Sequence, residues 1–112
     1  MKICLVGPPL SGKTVLFAAL TGMAPAEAAA HGAEPVAVVK VPDDRVDRLA
    51  EIYKPKKKIQ ATIEFSELAG VAAGDGRKTG FSEQFLGKLR TADALLLVVR
   101  AFGDPAVPHP RE

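Results

Sequence analysis

Lys2-Ile3-Cys4-Leu5-Val6-Gly7-Pro8-Pro9-Leu10-Ser11-Gly12-Lys13-Thr14-Val15-Leu16-Phe17-Ala18-Ala19-Leu20 is the stretch that decides the fold. Within it, Gly7 to Thr14 fit the pattern Gly, four residues, Gly-Lys-Ser/Thr, which cradles the phosphates of a nucleoside triphosphate. A strand-like run, Lys2 to Val6, precedes the loop, and a helix-like run, Lys13 to Leu20, follows it. That strand–loop–helix order is the context the pattern requires. The alternative is an ordinary Gly/Pro turn between a strand and a helix.

The residue types follow from the chemistry of phosphate. An anion needs several converging N–H donors, and a helix N-terminus supplies free donors and a positive dipole end. Gly7 and Gly12 permit backbone conformations and close approaches that a Cβ would obstruct. The amides of Leu10, Ser11, Gly12, Lys13, Thr14 and Val15 are the expected phosphate donors. Pro8 and Pro9 each delete an N–H, but both lie ahead of that set. Lys13 supplies a point charge for the β- and γ-phosphates, and the Thr14 hydroxyl is a candidate Mg²⁺ ligand.

Composition bounds the rest. The chain has 112 residues, 47% hydrophobic and 25% charged, which suits one globular domain. A net charge of +2 does not by itself point to nucleic acid or a membrane surface. The single cysteine, Cys4, sits in the first apolar strand as a small hydrophobe, so no disulfide framework is expected and a reducing cytosol suits the chain. The apolar start is too short for a signal peptide, and no segment approaches a membrane span.

Along the chain, periodicity predicts a first helix over 12–20 with Val15, Leu16, Ala19 and Leu20 inward, ending near Gly22. Residues 23–35 read as a mobile loop, since Pro and Gly flank the Ala run at both ends, with a short helix over that run as the alternative and His31 solvated. Val36 to Val41 read as a second strand. Asp43 is a good N-cap for a helix carrying Val46, Leu49, Ala50 and Tyr53, closed by Pro55. Lys54-Pro55-Lys56-Lys57-Lys58 reads as a solvated basic turn, with contact to RNA phosphates as the alternative. A third strand alternates through Ile59, Ala61, Ile63 and Phe65. A flexible loop over 71–80 follows, then a helix through Phe81, Phe85, Leu86 and Leu89. Ala94 to Val99 read as a parallel strand covered on both faces. The Pro-rich tail from Gly103 is irregular.

Several of these segments together resemble the YchF/Obg-like ATPases, a branch of the translation-factor-like P-loop GTPases. The similarity lies in Val41-Pro42-Asp43-Asp44-Arg45-Val46-Asp47-Arg48-Leu49-Ala50-Glu51-Ile52 with Lys54-Pro55-Lys56-Lys57, and in Ala61-Thr62-Ile63-Glu64-Phe65 with Leu68-Ala69-Gly70. It continues through Gln84-Phe85-Leu86, Leu89-Arg90, Asp93-Ala94 and Val98-Val99-Arg100-Ala101-Phe102. The resemblance implies an α/β P-loop NTPase fold: a partial G-domain sheet of strand order 2-3-1-4 flanked by helices. Residues 1–104 would form that partial domain and 105–112 an irregular tail. It also implies Mg²⁺ with ATP or GTP, ATP being preferred, and an association with ribosomes.

Departures from the family pattern qualify the activity. G domains carry an Asp-x-x-Gly element whose Asp faces Mg²⁺ and whose Gly N–H meets the γ-phosphate. Here Glu67-Leu68-Ala69-Gly70 stands in its place, so Glu67 is the second candidate metal ligand and Gly70 the phosphate sensor. Val71 is apolar, as in the family, which leaves water positioning to another group. Residues 23–35 contain no Ser or Thr to complete the metal shell. The sequence also lacks the family's base-reading segment. Ala94 to Val99 would then be an apolar edge, covered by a second copy, the tail or further domains. The functional expectation is an NTP-hydrolysing switch in which Lys13 and Gly70 act on the phosphates. Its competitor is a degenerate nucleotide-binding or protein-interaction module. A small-molecule kinase fits less well, because Leu68-Ala69-Gly70 matches a switch and no arginine-rich lid follows.

Overall fold

A computed structural model describes residues 1–30, 34–68 and 83–109. In chain order the elements are β1 (Lys2–Val6), α1 (Lys13–Thr21), α2 (Pro25–Ala30), β2 (Val36–Lys40), α3 (Asp44–Tyr53), β3 (Thr62–Glu67), α4 (Glu83–Thr91) and β4 (Ala94–Leu97). The four strands form one sheet in the order β2-β3-β1-β4, as the family resemblance implies. β1 runs parallel to β3 and β4, whereas β2 is antiparallel to β3. The register sets Leu5 beside Glu67 and Val6 beside Leu97, so three strand ends converge where the loop 7–12 begins. In open α/β sheets that carboxyl edge is where ligands bind.

The core lies on one face of the sheet. Leu5, Phe17, Ala18 and Ala28 are buried together, with Leu16, Met23, Ala37, Phe65 and Val98 packed around them. Here the phase of α1 differs from the periodicity reading. Its buried residues are Lys13, Phe17 and Ala18, while Val15 and Leu20 are exposed. The cause is the loop. Lys13 and Thr14 must face the carboxyl edge of the sheet, and a four-residue step then carries Phe17, Ala18 and Thr21 inward.

Residues 25–30 also correct the expectation of a loop. Pro25 at a first helical turn loses no hydrogen bond, and alanine is the strongest helix former. The Ala28 N–H donates to Ala24 O at 3.0 Å, and the Ala28 side chain is fully buried in the core.

Elsewhere the elements appear where expected but bury less. Asp43 caps α3, accepting from the Arg45 N–H at 3.0 Å, yet Leu49, Ile52 and Tyr53 stay exposed. β3 starts at Thr62 instead of Ile59, because its ladder with β2 ends at the Lys40–Thr62 pair. β4 pairs through Leu97, and the Val98 N–H continues to Val6 O. Leu95 and Leu97, with Val99 just beyond the strand, are more than half exposed, which overturns the reading of a strand covered on both faces. As the last strand of the sheet, β4 has a neighbour on one side only among the described residues.

Arg100 is a structural residue that periodicity missed. Its buried guanidinium donates to Phe102 O, Val107 O and Pro108 O and lies over the Phe102 ring, pinning the tail against the end of β4. Among the described residues, no helix is long and apolar enough to cross a membrane. The expectations for His31, Ala69 to Gly80 and Phe81 fall outside the described residues.

Candidate functional site: a phosphate loop with a paired hydroxyl and carboxylate

Two glycines shape the loop for different reasons. A Cβ on Gly7 would collide with Val98 O and crowd Val98 C at 3.3 Å and Ser11 Oγ at 3.4 Å. Glycine is needed there because the loop passes directly over the end of β4. Gly12 adopts φ 94°, a left-handed conformation, as the residue ahead of α1. It offers no side-chain cap, so the first amides of α1 keep their donors free for a ligand. Leu10 also has positive φ, at 61°, and its side chain is exposed.

Lys13 is folded into this loop. Its Nζ donates to Gly7 O at 3.1 Å and Pro8 O at 2.8 Å, and the residue is buried. Burial pushes its pKa below the usual lysine value, opposed by the negative charge of Glu67. The ammonium is thus held at the mouth of a cradle of amides, partly stripped of water, where its attraction for phosphate is strengthened.

The second half of the site joins α1 to β3. The Thr14 hydroxyl donates to Glu67 Oε1 at 2.7 Å, bridging 53 positions of sequence. Glu67 is buried, and its other oxygen, Oε2, has no hydrogen-bond partner among the described residues. Ser11 Oγ is likewise buried, with no partner among the described residues. An unpaired buried carboxylate oxygen is costly unless something meets it. A hydroxyl and a carboxylate side by side are the oxygen donors Mg²⁺ takes from protein, leaving its other positions to water and phosphate. Thr14 and Glu67 therefore carry the oxygen-donor chemistry that such a metal takes.

Leu10, Ser11, Gly12, Lys13, Thr14 and Val15 thus form one continuous loop and helix start, with Glu67 brought to it by β3. Gly70 lies outside the described residues.

Comparison with known proteins agrees with this architecture. The ribosome-binding ATPase YchF of Bacillus subtilis is 40% identical over 109 residues, 94% of this chain and 30% of that protein. The protein of the same name from Escherichia coli O157:H7 is 40% identical over 111 residues, 96% of this chain. The chain matches the YchF/Obg-like ATPases along nearly its whole length. Obg-like ATPase 1 of Schizosaccharomyces pombe extends the match, at 37% identity over 97% of the chain. The chain spans less than a third of the length of these YchF/Obg-like relatives, 29 to 31% of each. No family model matches it.

Proposed function

We propose that the chain binds a nucleoside triphosphate with Mg²⁺ at residues 7–15 and hydrolyses it as a molecular switch. One observation carries the reading. Lys13 Nζ is buried in the loop beside a Thr14–Glu67 hydrogen bond that leaves a carboxylate oxygen unpaired. The amides from Leu10 to Val15 hold the β- and γ-phosphates, and Lys13 exchanges its carbonyl partners for phosphate oxygens. Thr14 and Glu67 hold the metal, which when bound neutralises charge between the β- and γ-phosphates. Gly70 senses the γ-phosphate through its N–H. ATP is the favoured nucleotide, because the relatives are named ATPases.

Residues 1–104 act as one partial G domain, with 105–112 as its tail. The ribosome-binding names of the relatives support ribosome association and a cytoplasmic location. The exposed edge of β4 calls for a cover, either a second copy or further domains of a longer protein.

A second reading is a module that holds nucleotide but turns it over poorly. It is favoured by the glutamate at position 67 and by the absence of Ser and Thr between residues 23 and 35. Phosphate release with Mg·ATP distinguishes the two. Under the switch reading, release is measurable and Lys13→Ala abolishes it. Binding without release supports the module. Turnover indifferent to Lys13→Ala would overturn the proposed site.

A further inference from the structure

The basic turn after α3 forms one wall of a cleft that the nucleotide site does not use. Lys40, Lys57, Lys58, Ile59, Gln60 and Thr62 line a cavity of about 410 Å³. Lys40 and Thr62 face each other across the last rung of the β2–β3 ladder. Thr62 and Glu67 are five residues apart on β3, so this cleft lies about 17 Å from the carboxylate of the phosphate site, toward the other end of the strand.

Its surroundings have the features of a surface for a polyanion. Lys54 and Lys56 extend the basic run, and all of these lysines are exposed. Lys58 pairs with Asp47, which leaves Lys40, Lys56 and Lys57 without an ion-pair partner among the described residues. Glu64, two residues along β3 from Thr62, is the acid nearest the cleft in the strand. Ile59 lines the cleft, and Tyr53 ends α3 directly before the basic run; they are 70% and 76% exposed, offering an apolar surface and a ring to unstacked bases.

We propose that this cleft binds single-stranded RNA, its lysines neutralising backbone phosphates while Tyr53 stacks on a base. Lysines beside an exposed aromatic ring are the combination that such strands require. An anionic lipid surface fits less well, because α3 carries Asp44, Asp47 and Glu51 among its apolar residues. The cleft is independent of nucleotide binding at Lys13.

The test is fluorescence anisotropy of a labelled oligouridylate titrated with the full chain across a range of salt. Lys40→Gln/Lys57→Gln should weaken binding on the order of tenfold near 0.1 M salt. It should also flatten the log–log salt dependence by about 0.7 per lysine removed. Tyr53→Ala should weaken binding without changing that slope, and Lys13→Ala should leave both unchanged. Circular dichroism checks that each variant is folded. Absence of RNA binding at low salt, or binding untouched by the double substitution, would overturn the proposal. Binding to phosphatidylserine vesicles that RNA fails to compete would do so too, by assigning the cleft to lipid.

Discussion

Replacing Gly7 by alanine tests how the loop is held. The added methyl would fall well inside the 3.0 Å limit of real Cβ contacts, against the Val98 carbonyl oxygen. That oxygen is backbone and has no rotamer to escape into, so the loop or the end of β4 must move by roughly 1 Å. The residue before Gly7 accepts the Val98 N–H at 2.8 Å, and a displacement of that size breaks the bond. Overpacking of this kind costs about 1–3 kcal/mol and the lost hydrogen bond about 1, so the total is about 2–4 kcal/mol. With a urea slope of roughly 1.5 kcal/mol per M, the unfolding midpoint falls by about 1.3–2.7 M. The same shift pulls the early loop off the phosphates, so triphosphate affinity falls in parallel. Urea denaturation followed by circular dichroism reads the first effect, and calorimetry the second. A variant with wild-type midpoint and wild-type affinity would refute the contact between loop and strand.

Other substitutions probe separate parts. Gly87 lies within α4, and a Cβ there meets nothing within 4 Å, so Gly87→Ala should stabilise the chain by about 0.5–1 kcal/mol in the same denaturation assay. Glu67→Gln removes the charge beside Thr14. It should cut the gain in ATP affinity on adding Mg²⁺ on the order of ten- to a hundredfold, leaving metal-free binding little changed. Burial lowers the Lys13 pKa from 10.5, so the folded chain holds fewer protons than the unfolded one in the alkaline range just below that value, and stability rises with pH there. Phosphate restores the charged form, so triphosphate binding in that range should take up protons, seen as buffer-dependent heats in calorimetry. Asp43 is held below its usual 3.8 by Arg45 and its capping bond, so its contribution is present above that pH and lost as pH falls through the depressed value. Acid titration followed by helical circular dichroism should show α3 loosening there, and the Asp43→Ala variant should lack that phase.

Much of this was legible from the residues. The phosphate loop, the Asp43 cap and the β2 span follow from local chemistry, because each motif is satisfied by its immediate neighbours. The pairing of Thr14 with Glu67 required strand order, which came from resemblance and not from periodicity. What misled was burial. The apolar repeats of α1, α3 and β4 describe which faces are hydrophobic, not which ones the chain covers. In α1 the loop overrode the apolar phase, since a lysine and a threonine had to face the carboxyl edge. In α3 and β4 the large apolar residues Leu49, Ile52, Tyr53, Leu95 and Leu97 remain exposed, and periodicity alone cannot reveal that. Short alanine helices such as α2 carry no amphipathic signal, and only the contact of Ala28 with the core fixes it.

The most direct test of the central claim is a calorimetric titration of Mg·ATP into the chain and its Lys13→Ala variant. One saturable site is expected in the native chain. Losing the buried ammonium should weaken that site on the order of ten- to a hundredfold, the value of a charge-assisted hydrogen bond. Equal affinity in both proteins, or no saturable heat in the native one, would contradict the assignment of residues 7–15 as the phosphate site.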